Sequence, residues 1–275
     1  MRQRFLARLA LCALVAAAAP NGAVAGTPGK PFITLASTAS PSDSGLLAQL
    51  LPKFTADSGI EVRVVVAAVG EVFALGKRGD ADVLLVDDRA AENLFVDDRH
   101  ALERRDVMYG NFVIVGARHD PANIGDAPSA AGAFKLISEK KAPFITQGDD
   151  SGTHRAEQRL WSAAGRVPES GKGVWYFAAP GGLARAVALT AEKRGYTLVD
   201  RANWLALANR GGLIELINRD LQLRDNYSAL VVNDLKHHGV KFAQGKKFVD
   251  WLTGLNGRRL ISAFRVAEKQ VFFVQ

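Results

Sequence analysis

The richest run of ligand-binding chemistry in this chain is Gln147-Gly148-Asp149-Asp150-Ser151-Gly152-Thr153-His154. It follows a short apolar run, residues 142–145, and precedes a helical pattern over residues 155–164. A strand that turns through small polar residues into a helix aims unpaired backbone N–H groups and the positive end of the helix dipole at one point. Such a point suits an anion. Ser151 and Thr153 also read as helix caps, and one helix end can serve both roles. Ser151 and His154 are a nucleophile and a base by residue type, which keeps a serine hydrolase as a remote alternative. They share one turn of helix, however, and no G-x-S-x-G elbow surrounds the serine, so the chain reads as a non-enzyme with no catalytic residue.

Other candidates lie where small polar residues follow strands. In open α/β sheets, ligands sit beyond the carboxyl ends of the strands. Residues 37–45, 147–153 and 178–182 put Gly, Ser or Thr there, and residues 66–71 and Asp87-Asp88 lie at further strand ends. Hydroxyls of Ser37, Thr38 and Ser40 are the donors a buried oxyanion requires, although such residues also populate ordinary loops. Glu71, Asp87, Asp88, Asp149 and Asp150 are by default solvated loop acids. Asp87 directly follows a buried strand and points toward a cleft mouth; two or more inward acids would favour a hard metal cation or a cationic or hydroxyl-rich solute. His237-His238 has no third ligand at metal spacing, and Gly181-Gly182 lacks the Lys and Ser or Thr of a phosphate loop. Neither a metal nor a cofactor is expected.

The elements that must position these groups alternate between strand and helix. Strand patterns cover residues 32–36, 61–67, 81–86, 111–116, 142–145, 174–177, 197–199, 213–217 and 227–232. Helical spacing marks a helix starting at Leu46, a short one closing at Gly79, and residues 90–96, 133–140, 155–164, 183–194, 201–208, 245–252 and 256–264. The class is α/β with mainly parallel sheets. Arg2, Arg4 and Arg8, an apolar run over residues 9–19 and Ala23-Val24-Ala25 form a secretory signal, residues 1–25, too short in its apolar part to span a bilayer. The only cysteine, Cys12, lies inside it, so the exported chain relies on its core and not on disulfides. About 250 mature residues exceed what one core usually organises, which predicts two lobes. Formal charge is +7, or +4 without the three signal arginines, and the basic residues are scattered among acids. That pattern excludes nucleic acid as a partner.

Several segments resemble the periplasmic tungstate-binding proteins of ABC importers, within the class II solute-binding proteins. They are Asp43-Ser44-Gly45-Leu46-Leu47, the runs over residues 79–86 and 104–116, Gly148 to His154, Trp175-Tyr176, Asp200-Arg201, residues 248–253, and Phe264-Arg265-Val266 with Phe272-Phe273. They keep order and spacing across the mature chain. The resemblance implies a two-lobed periplasmic-binding-protein-like fold of class II with a central cleft. Lobe 1 would comprise residues 31–111 and 233–275, and lobe 2 residues 112–232, with crossings near Asn111 and Val232. It also implies a monomer that clamps a small oxyanion, tungstate or molybdate, and hands it to the membrane subunit of an ABC transporter. The ligand-binding set it implies is Ser37, Thr38, Ser40, Gly70, Glu71, Asp87, Gln147, Ser151, Gly152, Thr153, Gly181 and Gly182.

This chain departs from the family pattern at its ligand loops, including a G-T-G-Q loop that here reads Ala68-Val69-Gly70-Glu71 and a T-G-Q-G-M-G loop that here reads Ala179-Pro180-Gly181-Gly182-Leu183-Ala184. Ala39 interrupts the hydroxyl run T-T-T-S, Gln147 stands where the family has Arg, and Asp87-Asp88-Arg89 replaces a neutral or His-containing segment. A charge-assisted hydrogen bond contributes about 1.5–3 kcal/mol against about 1 for a neutral one, so Gln147 alone weakens a dianion by about one to two decades. The same scaffold binding a metal cation or a polar organic solute, for uptake or sensing, is the alternative.

Overall fold

The computed structural model describes residues 30–149, 151–168 and 174–275; the export signal expected over residues 1–25, and Asp150, lie outside them. The chain begins with β1 (Phe32–Ser37), α1 (Ala39–Asp43), α2 (Leu46–Ser58), β2 (Glu61–Val66), α3 (Val69–Arg78), β3 (Val83–Val86) and α4 (Arg89–Asp97). Strand β1 pairs in parallel with β2 and β3 and is therefore the middle of three parallel strands. Leu46, Leu47, Leu50 and Phe54 recur at helical spacing and are the buried face of α2, as that spacing requires. All four residues of β3 are buried, matching a continuous apolar run covered on both faces. Where residues 37–45 read as a loop, the structure inserts the one-turn helix α1.

Then follow β4 (Ala101–Gly116), α5 (Ala130–Glu139), β5 (Phe144–Thr146), α6 (Gly152–Ala163), β6 (Tyr176–Ala178), α7 (Leu183–Lys193), β7 (Tyr196–Asp200), α8 (Arg201–Ala206), β8 (Ile214–Ile217), β9 (Arg224–Val232), α9 (Phe242–Thr253) and α10 (Leu255–Ala263). Strand β5 pairs in parallel with β6 and β7, which repeats the arrangement of the first half. Helix α6 starts three residues before the apolar periodicity does, because Ser151 caps it.

Strand β4 is sixteen residues long, although only its last six read as strand. Its first half, through Glu103, Arg104, Arg105 and Asp106, is charged and partly exposed, which hides it from a hydrophobicity pattern. Backbone pairing holds it instead. Residues from Ala101 to Asn111 pair antiparallel with β9, while Phe112 to Gly116 pair antiparallel with β7. Strand β4 thus changes partner between Asn111 and Phe112. Beside it, β8 pairs with Ile114–Gly116 and β9 with Ala101–Asn111, so the returning chain crosses between Ile217 and Arg224. A crossing near Val232 is therefore corrected: Ser228 to Val231 are already paired with β3 in the first sheet.

The sheet is mixed and not mainly parallel. The βαβ strands are parallel, whereas β4 and β9 run antiparallel to their neighbours because they carry the chain between the halves in opposite directions.

The second half is held by an aromatic cluster. Trp161 packs edge-on against Phe134, Phe144, Trp175 and Tyr176, at centroid distances of 4.4, 5.1, 5.7 and 6.0 Å. Buried among them is Glu157, whose Oε1 accepts from the Trp161 indole at 3.1 Å and from the Tyr176 hydroxyl at 2.7 Å. Burial pushes its carboxyl up to about 7 from 4.5, against the lowering effect of those hydrogen bonds. Because the folded value is raised, the stability Glu157 contributes is fully present below about pH 4.5 and is lost as pH rises through about 7. Glu157→Gln keeps an acceptor oxygen for both donors and removes the buried charge. It is expected to stabilise the fold by about 2 kcal/mol at pH 8 and to leave melting unchanged at pH 4. Thermal melts at both pH values check this, and an equal or lower melting temperature at pH 8 contradicts it.

Candidate functional site

Antiparallel pairing of β3 with β9 sets Val86 opposite Ser228, which brings the carboxyl end of β3 beside the amino end of β9. On the far side of β4, β7 ends at Asp200 opposite Phe112, while β9 places Asp225 opposite Gly110. Two positions apart on one strand share a face, so these carboxyl-bearing ends meet where the halves join. A cavity of about 320 Å³ opens there. Its walls come from both halves: Thr38, Ser40 and Asp87 on one side, and Gln147, Ser151, Gly152, Thr153 and Gly182 on the other. Phe112, Asp200, Asn203, Asp225 and Tyr227 also line it.

The start of α6 forms one wall. The Ser151 hydroxyl accepts the His154 N–H at 3.2 Å, and Asp149 Oδ1 accepts the Ser151 N–H at 3.2 Å. The N–H groups of Gly152 and Thr153, in the first turn, have no intrahelical acceptor. Facing them from the other half is Asp87. A Cβ on Gly152 would stand 2.4 Å from Asp87 Oδ2, so the absence of a side chain at Gly152 is what lets the carboxylate approach the helix. Asp88 caps α4 through Ala91 N–H at 3.1 Å, and its other oxygen meets Arg155 Nη1 at 3.0 Å, a second link between the halves.

The walls hold unpaired polar atoms. Thr38 Oγ1, Ser40 Oγ, Asp87 Oδ1, Asp200 Oδ2 and Asn203 Oδ1 are buried and lack a hydrogen-bond partner. Most buried polar atoms are paired, and leaving one unpaired costs about 1–3 kcal/mol, so five on one cavity mark a place prepared for a polar ligand. Burial pushes Asp87 and Asp200 up to about 6, and it raises Asp225, whose Oδ2 accepts the Tyr227 hydroxyl at 2.6 Å, well above the usual carboxylate range. Among the described residues, no group of three His, Cys, Asp or Glu is arranged to hold a metal ion.

Of the residues singled out in the sequence, Thr38, Ser40, Asp87, Gln147, Ser151, Gly152, Thr153 and Gly182 line the cavity. Four do not. Ser37 is fully buried at the end of β1, with its hydroxyl donating to the Thr38 carbonyl at 3.2 Å. Glu71 points outward and is held by Arg78 Nη2 at 3.0 Å, because α3 begins at Val69 and turns its polar face to solvent. Gly70 lies on that same exposed turn, and Ala68 and Val69 line the cavity in its place. Gly181 is outside the lining, next to Gly182, which caps α7.

Asp200, Asn203, Asp225 and Tyr227 were not found from the sequence. Asp200 carried a usable signal, since it ends a strand and caps α8 through the Asn203 N–H at 2.8 Å. Asp225 carried none, because it lies at the amino end of its strand and only antiparallel pairing turns that end toward the cavity.

Comparison with known proteins matches the PBP superfamily domain over residues 17–255. The chain is 40% identical over 258 residues to the tungstate-binding protein TupA of Peptoclostridium acidaminophilum, covering 93% of this chain and 89% of that one. The solved tungstate-binding protein TupA of Desulfovibrio alaskensis G20 superposes with a TM-score of 0.80 at 34% identity, over 89% of this chain and 99% of that one. The structure described as the tungstate ABC transporter from Geobacter sulfurreducens gives a TM-score of 0.75 at 38% identity, over 85% and 98%.

Proposed function

The chain belongs to the PBP superfamily, in the family of the tungstate-binding proteins, and on that premise we propose that it is an extracytoplasmic solute-binding protein that captures tungstate or a related oxyanion for an ABC importer. The first lobe comprises residues 31–111 together with the chain from Arg224 onward, and the second lobe is the stretch between them. The observation that carries the reading is the opposition of two donor sets across one cavity. Buried, unpaired hydroxyls of Thr38 and Ser40 come from the first lobe, and first-turn amides of α6, which have no acceptor within the helix, come from the second.

An oxyanion lying between them touches both lobes only when the cleft is shut, so its binding energy favours the closed state. Thr38, Ser40, Gln147, Gly152, Thr153 and Gly182 surround it, and the Asp88–Arg155 pair helps hold the lobes together. The protein acts in the periplasm as a monomer, with the transporter's membrane subunit as partner and no nucleic acid. Among the described residues no helix is long and apolar enough to cross a membrane. A binding role in place of hydrolysis is supported at Ser151, whose hydroxyl is occupied as the helix cap, and at His154, whose Nε2 lies 3.1 Å from Gln158 Nε2.

Sodium tungstate and sodium molybdate at about one hundred times Kd are expected to stabilise the protein by about 2.7 kcal/mol, visible as a raised melting temperature. No shift with either anion, together with a clear shift from a divalent cation or a polar organic solute, overturns the ligand assignment.

A further inference from the structure

Among the carboxyl groups that line the cavity receiving the oxyanion, those of Asp87, Asp200 and Asp225 come from strand ends. Their convergence is built into the sheet. Asp225 and Asp200 sit on the two strands flanking β4, opposite Gly110 and Phe112, and Asp87 leaves β3 next to the same end of β9. Asp200 and Asp225 are only 4% and 3% exposed, and Oδ1 of Asp87 and Oδ2 of Asp200 are buried without a partner.

The surrounding charges do not cancel the cluster. Asp43 and Asp149 line the same cavity, Asp88 is engaged by Arg155, and Tyr227 is a neutral donor to Asp225. Arg159 of α6 is the cation that acts on Asp87 and Asp225, and it lies at an exposed position. Position 147, at the cavity wall, holds a neutral glutamine. With all three carboxyls ionised, the cavity would present acceptors and negative charge to a dianion, and like charges repel strongly where water is excluded. A protonated carboxyl is different, because it carries an O–H donor and no charge.

Resting on the oxyanion-binding function proposed above, we propose that this site takes its oxyanion together with a proton. Capture draws a proton from solvent onto the Asp87–Asp200–Asp225 cluster, and a carboxyl O–H then donates to a ligand oxygen. The proton replaces the cation that position 147 does not supply. Burial already holds Asp87 and Asp200 at about 6 and Asp225 well above the usual carboxylate range, so the proton is available near neutral pH. The bound anion stabilises the protonated form further, so affinity rises as pH falls.

Calorimetric titration of the mature protein with sodium tungstate between about pH 6.5 and about pH 8.5, in buffers of different ionisation enthalpy, tests this. The expected result is uptake of about one proton per anion and a Kd that tightens up to about tenfold per pH unit on acidification. Asp225→Asn, which presents an amide N–H at every pH, is expected to bind at the alkaline end at least as well as the unaltered protein and to flatten the pH dependence. Asp87→Asn gives the same test should Asp225→Asn not fold. Tungstate binding with a pH-independent Kd and no proton uptake overturns the proton-coupled site and leaves the oxyanion-binding function standing. No tungstate binding anywhere in the range overturns that function and the proton-coupled site with it.

Discussion

Truncating Trp161 to alanine is expected to remove about 4 kcal/mol of folding stability, the scale for a large aromatic in a core that cannot collapse around the gap. Trp161 has no exposed surface and contacts Phe134, Phe144, Trp175 and Tyr176. Its indole N–H is also one of two donors to the buried Glu157, so truncation leaves a cavity and a less satisfied carboxyl together. For a chain of this size the loss corresponds to a fall of about 10 °C in melting temperature. Trp161→Phe should recover about half of it, since the ring stack returns and the N–H does not. A melting temperature for Trp161→Ala within about 2 °C of the unaltered protein would show that the cluster is not holding the second lobe. Because Trp161 lies on α6, whose first turn lines the cavity, weaker tungstate binding should accompany the loss of stability.

Gly195→Ala is expected to cost about 3 kcal/mol, at the upper end for overpacking, although Gly195 has no unusual backbone angle to protect. A Cβ there would stand 2.2 Å from the Pro143 carbonyl oxygen and 2.8 Å from its carbon, both backbone atoms that no rotamer change can move. That same oxygen accepts the Tyr196 N–H at 2.8 Å, the bond that begins the pairing of β5 with β7. Relief of the clash therefore separates the two strands whose far ends lead to Gln147 and Asp200. The measurement is again a melt, now paired with tungstate affinity. Both should fall, and an unchanged Kd with a normal melt would mean that the strand spacing tolerates the extra carbon.

These effects fall on parts of the molecule that were unequally legible. The aromatic residues of the second lobe lie within strand and helix patterns read directly from periodicity, and burial follows the pattern. The loop through Ser151 to Thr153 was legible for the same reason, since strand, small polar turn and helix cap are neighbours in the chain. Strand β4 was half legible. Its apolar end over Phe112 to Gly116 shows, and its charged half is a strand only because β9 lies beside it. Glu71 shows the opposite failure: a family position at a strand end looked like a site, and the exposed Arg78 that ends the same helix had already claimed it.

Local chemistry was enough to identify the α/β class, most helices and strands and the capped helix start at Ser151, because periodicity and capping act over a few residues. The antiparallel course of β4 and β9, the crossing between Ile217 and Arg224, and the meeting of Asp87, Asp200 and Asp225 belong to the tertiary structure alone. Those carboxyls are separated by more than a hundred residues between first and last. Only the register of strands on either side of β4 brings them to one cavity, and only enclosure there raises their proton affinity. The loop that first looked like a simple anion cradle is therefore one wall of a site whose opposite wall is acidic.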